Sequence, residues 1–166
     1  MNDSLAKQIP ERARKAYTPD LNELLSQCEI NYLLLNQLIP ELPTLYKASL
    51  EADESASQWI LTSPAINLEL AVTETARYTT TLDLLIESPK IKVLQSEKLI
   101  LRLYHDVQML EVMEGSGPGA LRAIYERTQG RHKTVDEKRQ VNRFIGECLR
   151  TCLSARPVTA ANSVDE

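Results

Sequence analysis

Two polar clusters, each at the end of an alternating apolar segment, carry residue types suited to acid–base or anion-binding chemistry. Segment 66–72 leads on one face to Glu74, and segment 99–103 leads on one face to His105. If both apolar faces point inward, the carboxylate and the imidazole lie at the edge of the same core. With their neighbours they form a seven-residue candidate site for a ligand or partner: Glu74, Arg77, Tyr78, Arg102, Tyr104, His105 and Asp106.

This candidate site has a chemical and a structural interpretation. A carboxylate and an imidazole flanked by Arg and Tyr side chains can orient a proton donor or bind an anionic ligand. Alternatively, Glu74 and Arg77 form a structural ion pair, and His105 or Asp106 bonds the backbone of a turn. The structural interpretation is favoured, because clusters of charged residues mark function only statistically.

A basic segment over residues 122–143 is the second functional candidate. It holds seven basic and three acidic residues, a local excess of +4 in a chain of net charge −4. It could contact RNA or phosphate, with Tyr125 or His132 available for stacking. A solvated helix face with i,i+4 charge pairs is favoured, because no aromatic-rich RNA-binding signature accompanies the segment. The candidate basic patch comprises Arg127, Arg131, Lys133, Lys138, Arg139 and Arg143.

Cofactor and metal motifs are missing from the sequence. The glycine cluster at 115–119 lies between predicted strands, so it matches neither a dinucleotide fingerprint nor a phosphate-binding loop. Cys148 and Cys152 are spaced i,i+4 without a further Cys–His cluster, and small buried hydrophobes explain them better than metal ligands. We therefore expect no cofactor and no metal ion.

The apolar periodicities predict an α+β fold. An amphipathic helix begins near Pro19–Asp20 and ends before Pro40, and a connection spans residues 41–56. Thr134 and Glu137 match a capping box that opens a C-terminal helix. Between them we predict an antiparallel β-meander of about five to six strands with the helices on one face. The predicted strands are 57–62, 66–73, 78–87, 99–104, 107–113 and 121–127, where 99–113 is either a hairpin or one bent strand.

Length and composition predict one domain in a reducing compartment. A chain of 166 residues with 43% apolar and 25% charged residues is an average globular domain. We expect a flexible basic arm at 1–18, the domain at 19–155 and a flexible tail at 156–166. The N-terminus has no apolar signal region, and no apolar run reaches membrane-spanning length, so a cytoplasmic location with free thiols is expected.

Several motifs resemble the YqiB-like family, short bacterial proteins with a domain of unknown function. The similarity covers most of residues 17–153, and it includes segments 74–80 and 102–106 of the candidate site. It also includes segments 17–20, 28–32 and 136–144. The resemblance implies no established activity.

The sequence therefore favours a binding, adaptor or regulatory protein without catalysis, which would contact an unknown protein or a small anionic ligand. An enzyme or a nucleotide-binding or anion-binding regulator using Glu74, Arg77 and His105 is the alternative, and RNA binding is the third. An exposed apolar stripe on either helix would favour a protein partner or a homodimer.

Overall fold

A six-stranded antiparallel sheet with helices on one face makes up residues 20–49, 57–90, 97–113, 133–155 and 158–159, which the computed structural model describes. The strand order is β5-β4-β3-β2-β1-β6. The α+β prediction is confirmed. In chain order the elements are α1 (Leu21–Leu38), a 3-10 turn (Leu42–Thr44), α2 (Leu45–Ser49), β1 (Gln58–Thr62), β2 (Asn67–Thr75), β3 (Thr79–Glu87), β4 (Glu97–Tyr104), β5 (Met109–Met113), α3 (Lys133–Ala155) and β6 (Val158–Thr159).

Helix α1 has the boundaries that its sequence predicts. The Asp20 side chain accepts hydrogen bonds from the backbone N–H groups of Asn22 and Glu23, at 2.9 and 3.4 Å, and so satisfies amides that have no partner within the helix. The helix ends at Leu38, two residues before Pro40. Its buried stripe packs against α3 and β5.

The alternation of side chains across the strands separates a buried inner face from an outer face. The row Trp59–Leu70–Leu84–Leu99 crosses four strands on the inner face, where α1 and α3 cover it. The outer face is partly exposed and mixed in character. It carries Ile60, Leu85 and Ile100 as well as an ion pair of 2.7 Å between Lys98 and Asp83. The inner and outer positions of each strand follow the period-2 alternation of the sequence, and for that reason the meander could be predicted.

Several predicted boundaries need correction. Residues 42–49 are helical rather than part of a connection, because Leu42 is buried and Pro43 suits the start of a helical turn. Helix α3 begins at Lys133, so Thr134 lies in its first turn instead of at the N-cap. Strand β6 pairs with β1 beyond the predicted domain end at residue 155. The predicted arm 1–18, the strand 121–127 and the other tail residues lie outside the described residues.

Segment 97–113 is a hairpin rather than one bent strand. Tyr104 pairs with Met109 across a four-residue turn, in which Gln108 has a φ of 54°. The left-handed region is uncommon for a residue other than glycine, and no Gly or Pro announces this turn in the sequence. For that reason the choice could not be made from the sequence.

A buried amide network joins α1, α3 and the edge strand β5. Asn142 of α3 accepts a hydrogen bond from the Val112 backbone N–H (3.2 Å) and donates to the Lys138 carbonyl (2.8 Å). Asn31 of α1 donates to the Asn142 carbonyl at 2.8 Å. Both asparagines are fully buried. Gly146 permits this approach, because a Cβ there would lie 2.8 Å from the Asn31 Oδ1.

The network predicts a large loss of stability for Asn142→Ala. The Val112 N–H would lose its acceptor and a cavity would form, so we expect the free energy of unfolding to fall by about 2–4 kcal/mol. Urea unfolding followed by circular dichroism measures it. The neighbouring exposed variant Arg143→Ala should stay within about 0.5 kcal/mol of the wild type. Equal stability of the two variants would contradict the role of the network.

Candidate functional site

His105 lies half-buried at one end of the sheet, and both of its ring nitrogens have a hydrogen-bond partner. Its Nδ1 is 3.0 Å from the Tyr32 hydroxyl of α1, and its Nε2 is 2.9 Å from the Thr80 hydroxyl of β3. The Tyr32 and His105 rings also meet edge to face, with centroids 5.8 Å apart. Tyr32 and Thr80 are themselves buried. The imidazole therefore connects helix α1 to the sheet.

Partial burial of this histidine favours its neutral form. Desolvation lowers the pKa of His105 below its usual value near 6.5, while the nearby Asp106 acts in the opposite direction. Desolvation is the larger effect, so the imidazole is neutral at pH 7. One nitrogen then donates to a hydroxyl while the other accepts from the second hydroxyl. Neither nitrogen has a free hydrogen-bonding position to offer a substrate in this arrangement.

Glu74 does not share the core edge with His105, contrary to the expectation from alternation. A β-bulge between Val72 and Glu74 shifts the register, so that Glu74 pairs with Thr81 and Thr75 pairs with Thr80. The extra residue places Glu74 on the outer face and leaves it exposed. The predicted carboxylate–imidazole pair is therefore absent.

Arg102 and Tyr104 also lie on the outer face, separate from His105. Arg102 pairs with Thr81 and Tyr104 pairs with Thr79 in the sheet register. The Arg102 guanidinium carbon is 5.9 Å from the centroid of the Tyr104 ring, within cation–π range. The half-buried Arg102 leaves its Nε without a hydrogen-bond partner. This pair of residues faces the side of the sheet opposite the helices.

The remaining candidates lie on two turns that touch each other. Ala76 and Thr79 close the β2–β3 turn by two backbone hydrogen bonds, of 2.8 and 3.3 Å. The His105 backbone N–H donates to the Tyr78 carbonyl at 2.8 Å and joins this turn to the β4–β5 turn. At the tips, Arg77 and Asp106 are exposed.

Two apolar side chains on these turns are also exposed. Tyr78 is 51% exposed and Val107 is 54% exposed. The Arg77 guanidinium carbon lies 5.1 Å from the Tyr78 ring centroid. We call four of the exposed residues on these turns the turn surface: Arg77, Tyr78, Asp106 and Val107.

Sequence reasoning missed Tyr32, Thr80 and Val107. Tyr32 belongs to the apolar stripe of α1, which signals core packing, and nothing in the sequence shows which residue its hydroxyl meets 73 positions away. Thr80 reads as an ordinary strand residue. Val107 was assigned to a strand, because no Gly or Pro marks the turn that exposes it.

The basic patch is only partly described by the structure. Lys138 forms an ion pair of 3.0 Å with Glu111, and Arg139 forms one of 2.7 Å with Glu23. Arg143 is exposed on α3. The side chains of Arg127, Arg131 and Lys133 lie outside the described residues. Two of the six basic groups therefore serve contacts within the fold.

The three cysteines are buried free thiols in the hydrophobic core. Burial raises the pKa of Cys28 to about 11, of Cys148 to about 12 and of Cys152 to about 11. Cys148 and Cys152 are small core residues, as predicted. Over the described residues, no group of three or more His, Cys, Asp and Glu side chains could hold a metal ion.

Comparison with protein families gives a match over most of the chain. The family model "Protein of unknown function (DUF1249)" matches residues 34–157. The chain belongs to this family. The turn surface and His105 both lie within the matched residues.

Curated relatives agree with the DUF1249 assignment. The "Uncharacterized protein YqiB" of Escherichia coli (strain K12) is 29% identical over 140 residues, which covers 84% of this chain and 93% of that protein. The YqiB proteins of strains O6:H1 and O157:H7 match equally well. The YqiB-like resemblance is therefore confirmed. No solved structure gives a significant match.

Among the described residues of this DUF1249 protein, no helix is both long and apolar enough to cross a bilayer.

The His105 contacts predict a specific pH dependence of stability. His105→Gln should lower the free energy of unfolding at pH 7.5 by about 1–3 kcal/mol, because buried hydroxyls lose partners. The folded-state pKa lies below the unfolded value, so the unfolded chain binds more protons. The wild type should therefore lose stability relative to His105→Gln as the pH falls below about 6.5. Urea unfolding at pH 7.5 and 5.0 measures this difference. A constant difference would contradict the neutral, buried imidazole.

The raised thiol pKa values predict slow thiol–disulfide exchange with an external disulfide in the native state. With Ellman's reagent at pH 8, we expect three thiols to react in guanidinium chloride and almost none in buffer, since the thiolate is the reactive form. Measuring the rate at pH 7, 8 and 9 shows whether burial or pKa limits the reaction. A native thiol reacting as fast as free cysteine would disprove this prediction.

Proposed function

We propose that this protein is a binding module that contacts a partner protein through the turn surface. The observation that carries the proposal is the arrangement of His105, which is bonded on both ring nitrogens while its backbone joins the two turns. His105 thus holds in place the two turns that carry the exposed side chains of the turn surface. Binding residues are commonly found on loops that a rigid scaffold positions.

The chemistry of the turn surface suits a protein partner. Tyrosine and arginine are enriched among the residues that dominate binding energy at interfaces. Tyr78 and Val107 offer apolar area, and Arg77 offers a guanidinium that can accept a carboxylate in a bidentate pair. Packing within the fold does not account for leaving a tyrosine and a valine half exposed on two turns that a backbone hydrogen bond joins. We infer a partner that places an apolar side chain on Tyr78 and a carboxylate near Arg77.

The acid–base alternative has weaker geometric support. Glu74 lies on the outer face, Arg77 is exposed on a turn, and His105 is bonded within the fold. The three groups therefore do not share one site.

RNA binding has no described residue in its favour beyond the exposed Arg143. The proposal includes a cytoplasmic location. The free buried thiols are compatible with it, because the cytoplasm is a reducing compartment.

Site-directed photocrosslinking tests the turn surface. Tyr78 is replaced by p-benzoylphenylalanine in cells that express the protein, and irradiation should give one discrete adduct that mass spectrometry identifies. Glu87 is the control position, because it is exposed at the other end of β3 from Thr79. Adducts at neither position, or the same adducts at both, would overturn the proposal.

A quantitative arm uses the partner identified by the adduct. Arg77→Ala and Tyr78→Ala should each weaken its binding by about fivefold or more in isothermal titration calorimetry, as expected for central interface residues. Both side chains are exposed, so neither change should alter the free energy of unfolding by more than about 0.5 kcal/mol. Unchanged affinity in both variants would show that the contact is made elsewhere.

A further inference from the structure

Helix α1 carries apolar residues on its outward face as well as its buried face. Leu25, Glu29 and Leu33 follow one another at four-residue spacing, so they form one line along the exposed side. Leu33 is 52% exposed and Leu21 is 58% exposed. We define the α1 outer face as the four exposed apolar residues Leu21, Leu25, Ile30 and Leu33 together with Glu29.

Helix α3 shows that this fold does not require an apolar outer face. It packs in the same layer, against α1 and on the same side of the sheet. Its exposed positions are polar throughout the part whose side chains are described: Lys138, Gln140, Arg143, Glu147, Thr151 and Ser154. A helix on the surface normally has this character. Among the described side chains of the two long helices, exposed apolar residues therefore recur only on α1.

The charge of α1 indicates what kind of partner fits it. From Asp20 to Tyr46 the chain has four acidic residues and no Lys, Arg or His. Asp20 caps the helix, Glu23 pairs with Arg139, and Glu41 accepts a hydrogen bond from Trp59. Among the described residues, Glu29 has no basic partner. A carboxylate that lies between Leu25 and Leu33 and has no basic partner in the described part of the chain favours a cation on the binding partner.

We propose that the α1 outer face docks a basic amphipathic helix of a partner protein. Leucine-type side chains of that helix, spaced i, i+3/i+4 and i+7, would pack on Leu25, Ile30 and Leu33. A Lys or Arg beside them would pair with Glu29. This goes beyond the proposed function, because the α1 outer face shares no residue with the turn surface.

Two other occupants fit the charges less well. In a two-fold pairing of α1 with a second copy, acidic residues would approach acidic residues, and α1 has no basic residue to offset the repulsion. Anionic lipid surfaces attract helices rich in Lys and Arg, and α1 has neither. A basic amphipathic helix offers apolar side chains to the exposed leucines and a cation to Glu29.

The experiment measures binding of fluorescein-labelled 18-residue probes to the full-length protein by fluorescence anisotropy. One probe has a helical stripe of Leu flanked by Lys, a second replaces each Lys with Glu, and a third scrambles the first. We expect only the Lys probe to bind, and Leu33→Gln to weaken it about tenfold. Glu29→Lys should weaken the Lys probe and strengthen the Glu probe.

Matched controls separate this proposal from the turn surface. Ser154→Gln on the exposed side of α3 and Arg77→Ala should leave the affinity for the Lys probe unchanged, and all variants should keep the wild-type circular dichroism spectrum. Equal binding by wild type and Leu33→Gln would overturn the proposal. So would a dimer in sedimentation equilibrium that Leu33→Gln dissociates. Binding to phosphatidylglycerol vesicles without binding to the Lys probe would also overturn it, because it would identify a membrane as the occupant.

Discussion

The buried contact of Asn142 with the Val112 backbone determines how the helices meet the sheet. Strand β5 is an edge strand, and its outward N–H groups need partners once a helix removes them from water. Asn142 supplies one such acceptor, and its own carbonyl binds Asn31 of α1. The three elements are thereby fixed relative to one another by hydrogen bonds that have defined directions. Apolar packing alone tolerates sliding, whereas a buried amide without its partner is costly. Gly146 is part of the same constraint, because a side chain there would push the helices apart.

His105 extends this arrangement to the end of the sheet. Its ring nitrogens form hydrogen bonds with the Tyr32 hydroxyl of α1 and the Thr80 hydroxyl of β3, and its backbone N–H donates to the β2–β3 turn. The position of the two turns thus depends on where α1 lies, and the position of α1 depends on the Asn31–Asn142 contact. A polar residue at the end of an apolar strand has a structural explanation here. The turn surface therefore rests on a series of contacts that runs from β5 and α3 through α1 to His105.

Local pattern accounts for the strands and helices that could be predicted, and non-local geometry accounts for the errors. Alternation identified the inner row through Leu70 and Leu84. The helical spacing of apolar residues in α1 identified its buried side from Cys28 onward, but the same stripe includes Leu21 and Leu25, which are exposed. The bulge before Glu74 inserts one residue into β2, which reverses every side chain after it. Nothing in the composition of that segment signals the bulge. Likewise, the αL conformation of Gln108 and the meeting of Tyr32 with His105 depend on partners distant in sequence.

Contacts within the fold explain the buried polar side chains, whereas they do not explain the exposed apolar side chains. His105, Thr80, Asn31 and Asn142 have their polar groups bonded inside the fold, so their presence follows from the cost of burying an unpaired group. A catalytic role is therefore not needed to explain these polar groups. Exposed apolar groups have no such explanation, since an exposed leucine side chain does not stabilise the fold by burial and a glutamine would serve there as well. Single exposed apolar residues are common on folded proteins. Leu33 and its neighbours are different because they recur along one helix, while the equivalent face of α3 is polar.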